Sequence, residues 1–180
     1  QVYNSNEVNA YATGGGHIAI FKGLLDQMQD NEVAYVIGHE LAHNAASHPF
    51  ETASTLKLNQ LARRDLRYGY AAAFTNVNEQ EADRLGILYA ALAGIDPESS
   101  VTAWIKFISN DLREYAYFRT HPANRERAAL NQETARKVRQ YYLPNTLNPD
   151  TENLLECNVL YCASSGEGIE DGKGGGILKA

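Results

Sequence analysis

Two histidines four residues apart, with a glutamate directly after the first, stand at His39-Glu40-Leu41-Ala42-His43. On a helix this HExxH spacing puts both imidazoles on one face, about one turn or ~6 Å apart along the axis, the separation at which two of them can grip one Zn²⁺. Glu40 lies about 100° round a 3.6-residue helix from His39. It therefore flanks the metal instead of binding it, and can take a proton from the metal's water. A mononuclear catalytic zinc takes three protein ligands and keeps a position for water, so a third ligand must come from elsewhere in the chain. Glu79 is the residue expected there. Glu79 and Asp83 are one turn apart on a shared face, so with Glu79 on the metal, Asp83 can reach a ligand histidine's free N–H and hold its tautomer. Glu81, about 200° from Glu79, is expected to pair with solvent or Arg84.

The elements that must position these groups can be read from periodicity. Val8-Asn9-Ala10-Tyr11-Ala12 and His17-Ile18-Ala19-Ile20-Phe21 flank Gly14-Gly15-Gly16 and predict a hairpin whose edge another backbone can approach. Residues 22–29 predict a short helix or turn. The motif helix is expected to be capped by Asp30 or Asn31 and to end near Ser47 or His48, stopped by Pro49. His17 reads as a rim or structural residue. His48 reads as a helix-end histidine near the negative pole of the dipole.

A mostly helical connection over 50–74, too charged for a transmembrane hairpin, leads to a helix capped by Asn76 or Asn78. That helix carries Glu79 and Asp83 and ends at Gly94. Asp96-Pro97-Glu98 opens the next, with Val101, Trp104, Ile105 and Ile108 as its buried stripe. His121 sits on the loop before a helix begun by Pro122 that runs to about Tyr142, a place from which it can face the cleft.

The chain's 180 residues, 44 % hydrophobic and 21 % charged, suit one globular domain over 1–144 with a true core. An irregular acidic, Gly-rich tail over 145–180 follows, suited to wrapping the surface or serving as a tether. Four of the six excess negative charges fall in that tail and no basic cluster tracks phosphates, so nucleic acid is not an expected partner. No apolar run reaches the ~18 residues a bilayer demands. A chain beginning at Gln1 is expected to be a mature or trimmed product, with a leader, lipid anchor or pro-segment outside it. Cys157 and Cys162 suit a small disulfide loop in an oxidising compartment, or free thiols in a reducing one; the former leans toward an extracytoplasmic location.

Taken together, Asn9-Ala10-Tyr11-Ala12 with the glycine cluster, Gly23-Leu24-Leu25, the HExxH run, Glu79-Gln80-Glu81-Ala82-Asp83 and Thr120-His121-Pro122 followed by Arg127 resemble a known family across about residues 8–140. It is the gluzincin family of the CaaX prenyl proteases, the HtpX-like membrane proteases and the periplasmic BepA-like and LoiP-like relatives. The resemblance implies an α+β, mostly helical zincin (gluzincin) metalloprotease domain with a small edge-strand sheet and an HExxH active-site helix. It also implies one catalytic zinc held by His39, His43 and Glu79, with Glu40 as base and proton shuttle. His121 then becomes an oxyanion stabiliser or an inhibitory fourth ligand, and Arg127 braces its loop. Without transmembrane segments, the chain fits the soluble envelope branch, so a metalloendopeptidase acting on protein or peptide substrates in envelope protein quality control is expected. Two alternatives are a zinc-stabilised chaperone or adaptor and a latent protease with a blocked cleft.

Overall fold

The computed structural model describes residues 1–13, 15–61, 69–109, 117, 121 and 125–156. Strands β1 (Val2–Tyr3), β2 (Ala10–Thr13) and β3 (His17–Phe21) form a sheet in the order β1-β3-β2. The predicted hairpin is present, with β2 antiparallel to β3 in a register that pairs Ala10 with Ile20 and Thr13 with His17. Strand β1 joins β3 in parallel and was not expected, because a two-residue strand leaves no alternation to read. The turn glycines Gly15 and Gly16 adopt positive φ of 86° and 82°, where a side chain would be strained.

The short helix α1 (Lys22–Leu25) leads into α2 (Asp30–Ala45). Gln29 caps α2 in place of the expected Asp30 or Asn31, in a reciprocal box in which its backbone N–H donates to Glu32 Oε2 at 2.8 Å. Asp30 is instead the first helical residue, where its charge complements the helix dipole. Pro49 does not stop the helix. The chain breaks earlier, at Ser47 with φ 60°, and Pro49 occupies the opening turn of α3 (His48–Leu61), where no intrahelical N–H is needed.

Helix α4 (Gly69–Leu92) begins well before Asn76 and Asn78, which lie inside it and do not cap it. Part of the predicted 50–74 connection, residues 62–68, lies outside the described residues. Gly94, at φ 81°, ends the α4 segment as expected, with Ile95 N–H donating to Ala90 O. Asp96 caps α5 (Glu98–Ser109) by accepting from Glu98 N–H at 3.0 Å. The buried stripe of α5 is Ser100, Ala103, Trp104 and Phe107, whereas Ile105 is 59 % exposed. Of the predicted stripe, Trp104 is buried and Val101 packs against the core, Ile105 faces outward, and the side chain of Ile108 lies outside the description. Helix α6 (Arg125–Val138) passes into a 3-10 turn at Arg139–Tyr141. Asn145 and Asn148 N–H donate to Gly94 and Leu92 carbonyls, and α7 (Thr151–Glu156) sets Leu154 against the core. Cys157, Cys162 and the rest of the tail lie outside the described residues, as does Pro122.

The core lies between α2, α4, α5 and α6 and includes Tyr35, Val36, Ile87, Leu88, Leu92, Trp104 and Val138, with Leu24 of α1 packed in. Helices α2 and α4 approach so closely that a Cβ on Gly86 would stand 2.7 Å from the His39 backbone nitrogen, and one on Gly38 2.8 Å from Gly86 O. This contact fixes how far the motif helix stands from the helix carrying Glu79. Among the described residues, no helix is long and apolar enough to cross a membrane.

Candidate metal centre

Helix α2 turns His39 and His43 to the same side, toward α4, and both are buried. Their Nε2 atoms lie 3.0 Å apart. From α4, Glu79 brings Oε1 to 3.2 Å from His43 Nε2 and Oε2 to 3.4 Å from His39 Nε2. His121 enters from the other side, with Nδ1 at 3.0 Å from Glu79 Oε2 and 3.3 Å from His39 Nε2. One ligating atom from each of these four buried residues falls within 4.8 Å of the others. Three imidazole nitrogens and a carboxylate make a donor set suited to zinc, and too poor in oxygen for magnesium or calcium.

Glu40 is wholly buried beside this cluster, and neither of its carboxylate oxygens has a hydrogen-bond partner. His121 Nε2 lies 3.3 Å from its Oε1. A buried, unpartnered carboxylate is costly unless the site supplies something for it to hold. A metal with its water, placed among the four ligating atoms, fits that need.

A layer of partners orients the ligands. His39 Nδ1 faces Asp83 Oδ1 at 3.0 Å. Arg127 clamps Asp83 with two hydrogen bonds of 2.8 and 2.9 Å, and its Nη2 also lies 3.0 Å from Glu79 Oε2. The guanidinium rests over the Trp104 ring at 4.7 Å. Tyr35 OH donates to Asp83 at 3.0 Å and accepts from Trp104 Nε1 at 3.1 Å. The loop around His121 that Arg127 was expected to brace lies outside the described residues; among the described ones, Arg127 ties together the two carboxylates of α4. His121 is held by stacking on Tyr117, centroids 4.4 Å apart.

These surroundings set protonation. Burial opposes a proton on His39, but the Asp83 and Glu79 carboxylates overcome it and hold the pKa at about 10. Burial lowers that of His43. Burial would raise both acids, yet the neighbouring cations and imidazoles drive Glu79 well below the usual carboxylate range and Asp83 to about 2. A metal arriving at His39 must displace a proton.

His39, Glu40, His43, Glu79, Asp83, His121 and Arg127 thus all meet at one place. Sequence reasoning missed His48. Ser47 ends the α2 path, so His48 does not continue round that helix but folds back, 4 % exposed, with Nδ1 2.9 Å from His43 Nδ1. Glu81, expected to face solvent or Arg84, brings Oε2 to 3.5 Å from His48 Nε2. The offset of five between His43 and His48 argues against contact only if one unbroken helix is assumed.

A cavity of about 340 Å³ opens onto the centre, lined by Tyr11 and Ala12 of β2 together with Glu40, His43, Glu79 and His121. Among the described residues strand β2 is an edge of the sheet, whose outer side can accept a further strand.

The family model for peptidase family M48 matches residues 1–76 and 64–134 of this chain. Mitochondrial metalloendopeptidase OMA1 of Arabidopsis thaliana is 35 % identical over 72 % of the chain and 30 % of its own length. Metalloprotease LoiP of Escherichia coli is 30 % identical, over 71 % of the chain and 59 % of LoiP. The beta-barrel assembly-enhancing protease of Escherichia coli is 29 % identical, over 76 % of the chain and 34 % of that protein. The chain therefore spans between about a third and three fifths of the length of these relatives.

Proposed function

The chain belongs to peptidase family M48, and from that premise we propose that it is a zinc-dependent metalloendopeptidase hydrolysing peptide bonds in protein substrates. The observation that carries the reading is the convergence of His39 Nε2, His43 Nε2 and the Glu79 carboxylate within 3.4 Å of one another beside the buried, unpartnered Glu40. His39, His43 and Glu79 hold the zinc. When bound, zinc supplies Lewis acidity, which makes water a nucleophile near neutral pH and polarises a carbonyl.

Glu40 is the general base. It takes the proton from the attacking water and delivers it to the leaving amine. His121 steadies the oxyanion of the tetrahedral species through a ring N–H. Asp83 and Arg127 keep His39 and Glu79 in place. An extended substrate segment pairs with the β2 edge, open among the described residues, and so lies across the cavity, which favours cleavage within a chain over cleavage at its ends. We place the protein outside the cytoplasm, in envelope protein quality control. Its likeness to a protease named for β-barrel assembly and its Cys157–Cys162 spacing support that placement.

One observation favours a second reading. His121 stands at ligand distance, so a closed four-ligand site would make the protein a latent protease or a zinc-stabilised adaptor.

Replacing Glu40 with Gln tests the main reading. Metal should stay bound while casein cleavage falls by about 10²–10⁴-fold, the usual worth of a general base. Cleavage by that variant at the parent rate would end the assignment.

A further inference from the structure

We propose that His48 and Glu81 are positioning residues for the metal ligand His43, a hydrogen-bonded imidazole backed by a carboxylate, which together fix its tautomer and ring orientation. The inference rests on the reading of His43 as a zinc ligand. His43 turns Nε2 toward His39 and Glu79, at 3.0 and 3.2 Å, so Nε2 is the atom available to a metal. A neutral imidazole that ligates through Nε2 must carry its proton on Nδ1. That atom lies 2.9 Å from His48 Nδ1, with the rings edge to face at 74°.

The direction of the hydrogen bond then follows. His43 Nδ1–H donates to His48 Nδ1, which must present a lone pair. The proton of His48 therefore sits on Nε2, the nitrogen that faces the Glu81 carboxylate, with Oε2 3.5 Å away, whose charge favours a proton there. The other ligand histidine is served more directly, by Asp83 at 3.0 Å from His39 Nδ1. Each imidazole is thus backed by a carboxylate from α4, one by contact and one through an intervening ring. The asymmetry comes from helix geometry. Asp83 is four residues from Glu79 and shares its face; Glu81, two residues away, is about 200° round and needs a bridge. The break at Ser47 supplies that bridge by folding His48 back under His43. His48 is 4 % exposed, so water cannot readily replace it as acceptor.

The test measures zinc dissociation constants by competition with a chromogenic chelator, supported by visible absorption spectra of the cobalt-loaded protein. His48→Phe keeps a ring without an acceptor and should raise the dissociation constant about 10–100-fold, the usual cost of losing such a partner. His48→Gln, whose carbonyl can accept from His43, should recover most of that loss. Glu81→Ala, at a half-exposed site, should weaken binding several-fold and shift the cobalt spectrum. It also keeps the proposal testable if the His48 variants fail to fold, which melting of the metal-free proteins will show. Equal affinity in the parent, His48→Phe and Glu81→Ala would overturn the positioning role alone, as would equal losses in His48→Phe and His48→Gln. A parent that binds no zinc would overturn the positioning role and the zinc reading together.

Discussion

Replacing Gly86 with Ala probes the link between packing and the site, because Gly86 is where α4 meets the backbone of the first ligand. An added Cβ would stand 2.7 Å from His39 N, 2.8 Å from His39 Cα and 3.0 Å from Gly38 C. Ordinary carbon contacts lie at about 3.5–4.0 Å, so the helices must part by roughly 0.7–1 Å. Every clashing atom is backbone, which cannot swing aside. Overpacking of this kind costs about 1–3 kcal/mol, while alanine in a helix interior gains about 0.5–1 kcal/mol over glycine.

The net loss, about 1–2 kcal/mol, corresponds to a fall in Tm of about 2–8 °C for a chain of this size. The effect on metal should be at least comparable to the effect on stability. His39 and His43 ride on α2 and Glu79 on α4, and zinc sites tolerate only about 0.2 Å in ligand distance. Calorimetry of the metal-free protein should show the modest loss of Tm, and chelator competition should show zinc affinity down by at least about tenfold. Parent-like affinity in a folded Gly86→Ala variant would refute the claim that this crossing sets the ligand spacing.

Other outcomes follow from the same geometry. The Asp83 carboxyl falls from 3.8 to about 2 in the folded protein, so it contributes stability that is present above pH ~4 and lost as pH falls toward 2. Metal-free protein should lose about 2 kcal/mol over that window in urea melts, and a flat profile would contradict the Asp83–Arg127 pairing as described. His121→Ala should lower casein cleavage by about 10²–10³-fold with zinc retained if the ring steadies the oxyanion. A rise in cleavage would instead mark His121 as an inhibitory fourth ligand.

Much of the centre was legible because it rests on short-range arithmetic. His39, Glu40 and His43 on one helix, and Glu79 with Asp83 on another, follow from a period of 3.6 residues. What escaped were the places where the chain leaves that period. Pro49 looks like a stop but opens a helix; the end near Ser47 was expected, but its cause is the positive φ of Ser47 and not the proline. His48 and Glu81 meet only because that break redirects the chain, and no spacing rule spans two helices joined at an unknown angle. Asn76 and Asn78 look like caps but lie within α4, since asparagine preference is a weak prior once a helix has packed. On α5 only Ile105, among the described side chains, was misplaced, because it is as apolar as the Trp104 and Phe107 that face inward. The crossing at Gly38 and Gly86 pairs residues 48 apart, and nothing local announces it.

The most direct measurement is a crystal structure of the zinc-loaded protein, with anomalous diffraction collected on either side of the zinc edge. The account predicts one peak per chain, about 2.0–2.2 Å from His39 Nε2, His43 Nε2 and a Glu79 oxygen, with one coordination position open beside Glu40. A peak elsewhere, or one that Glu79 does not touch, would contradict it.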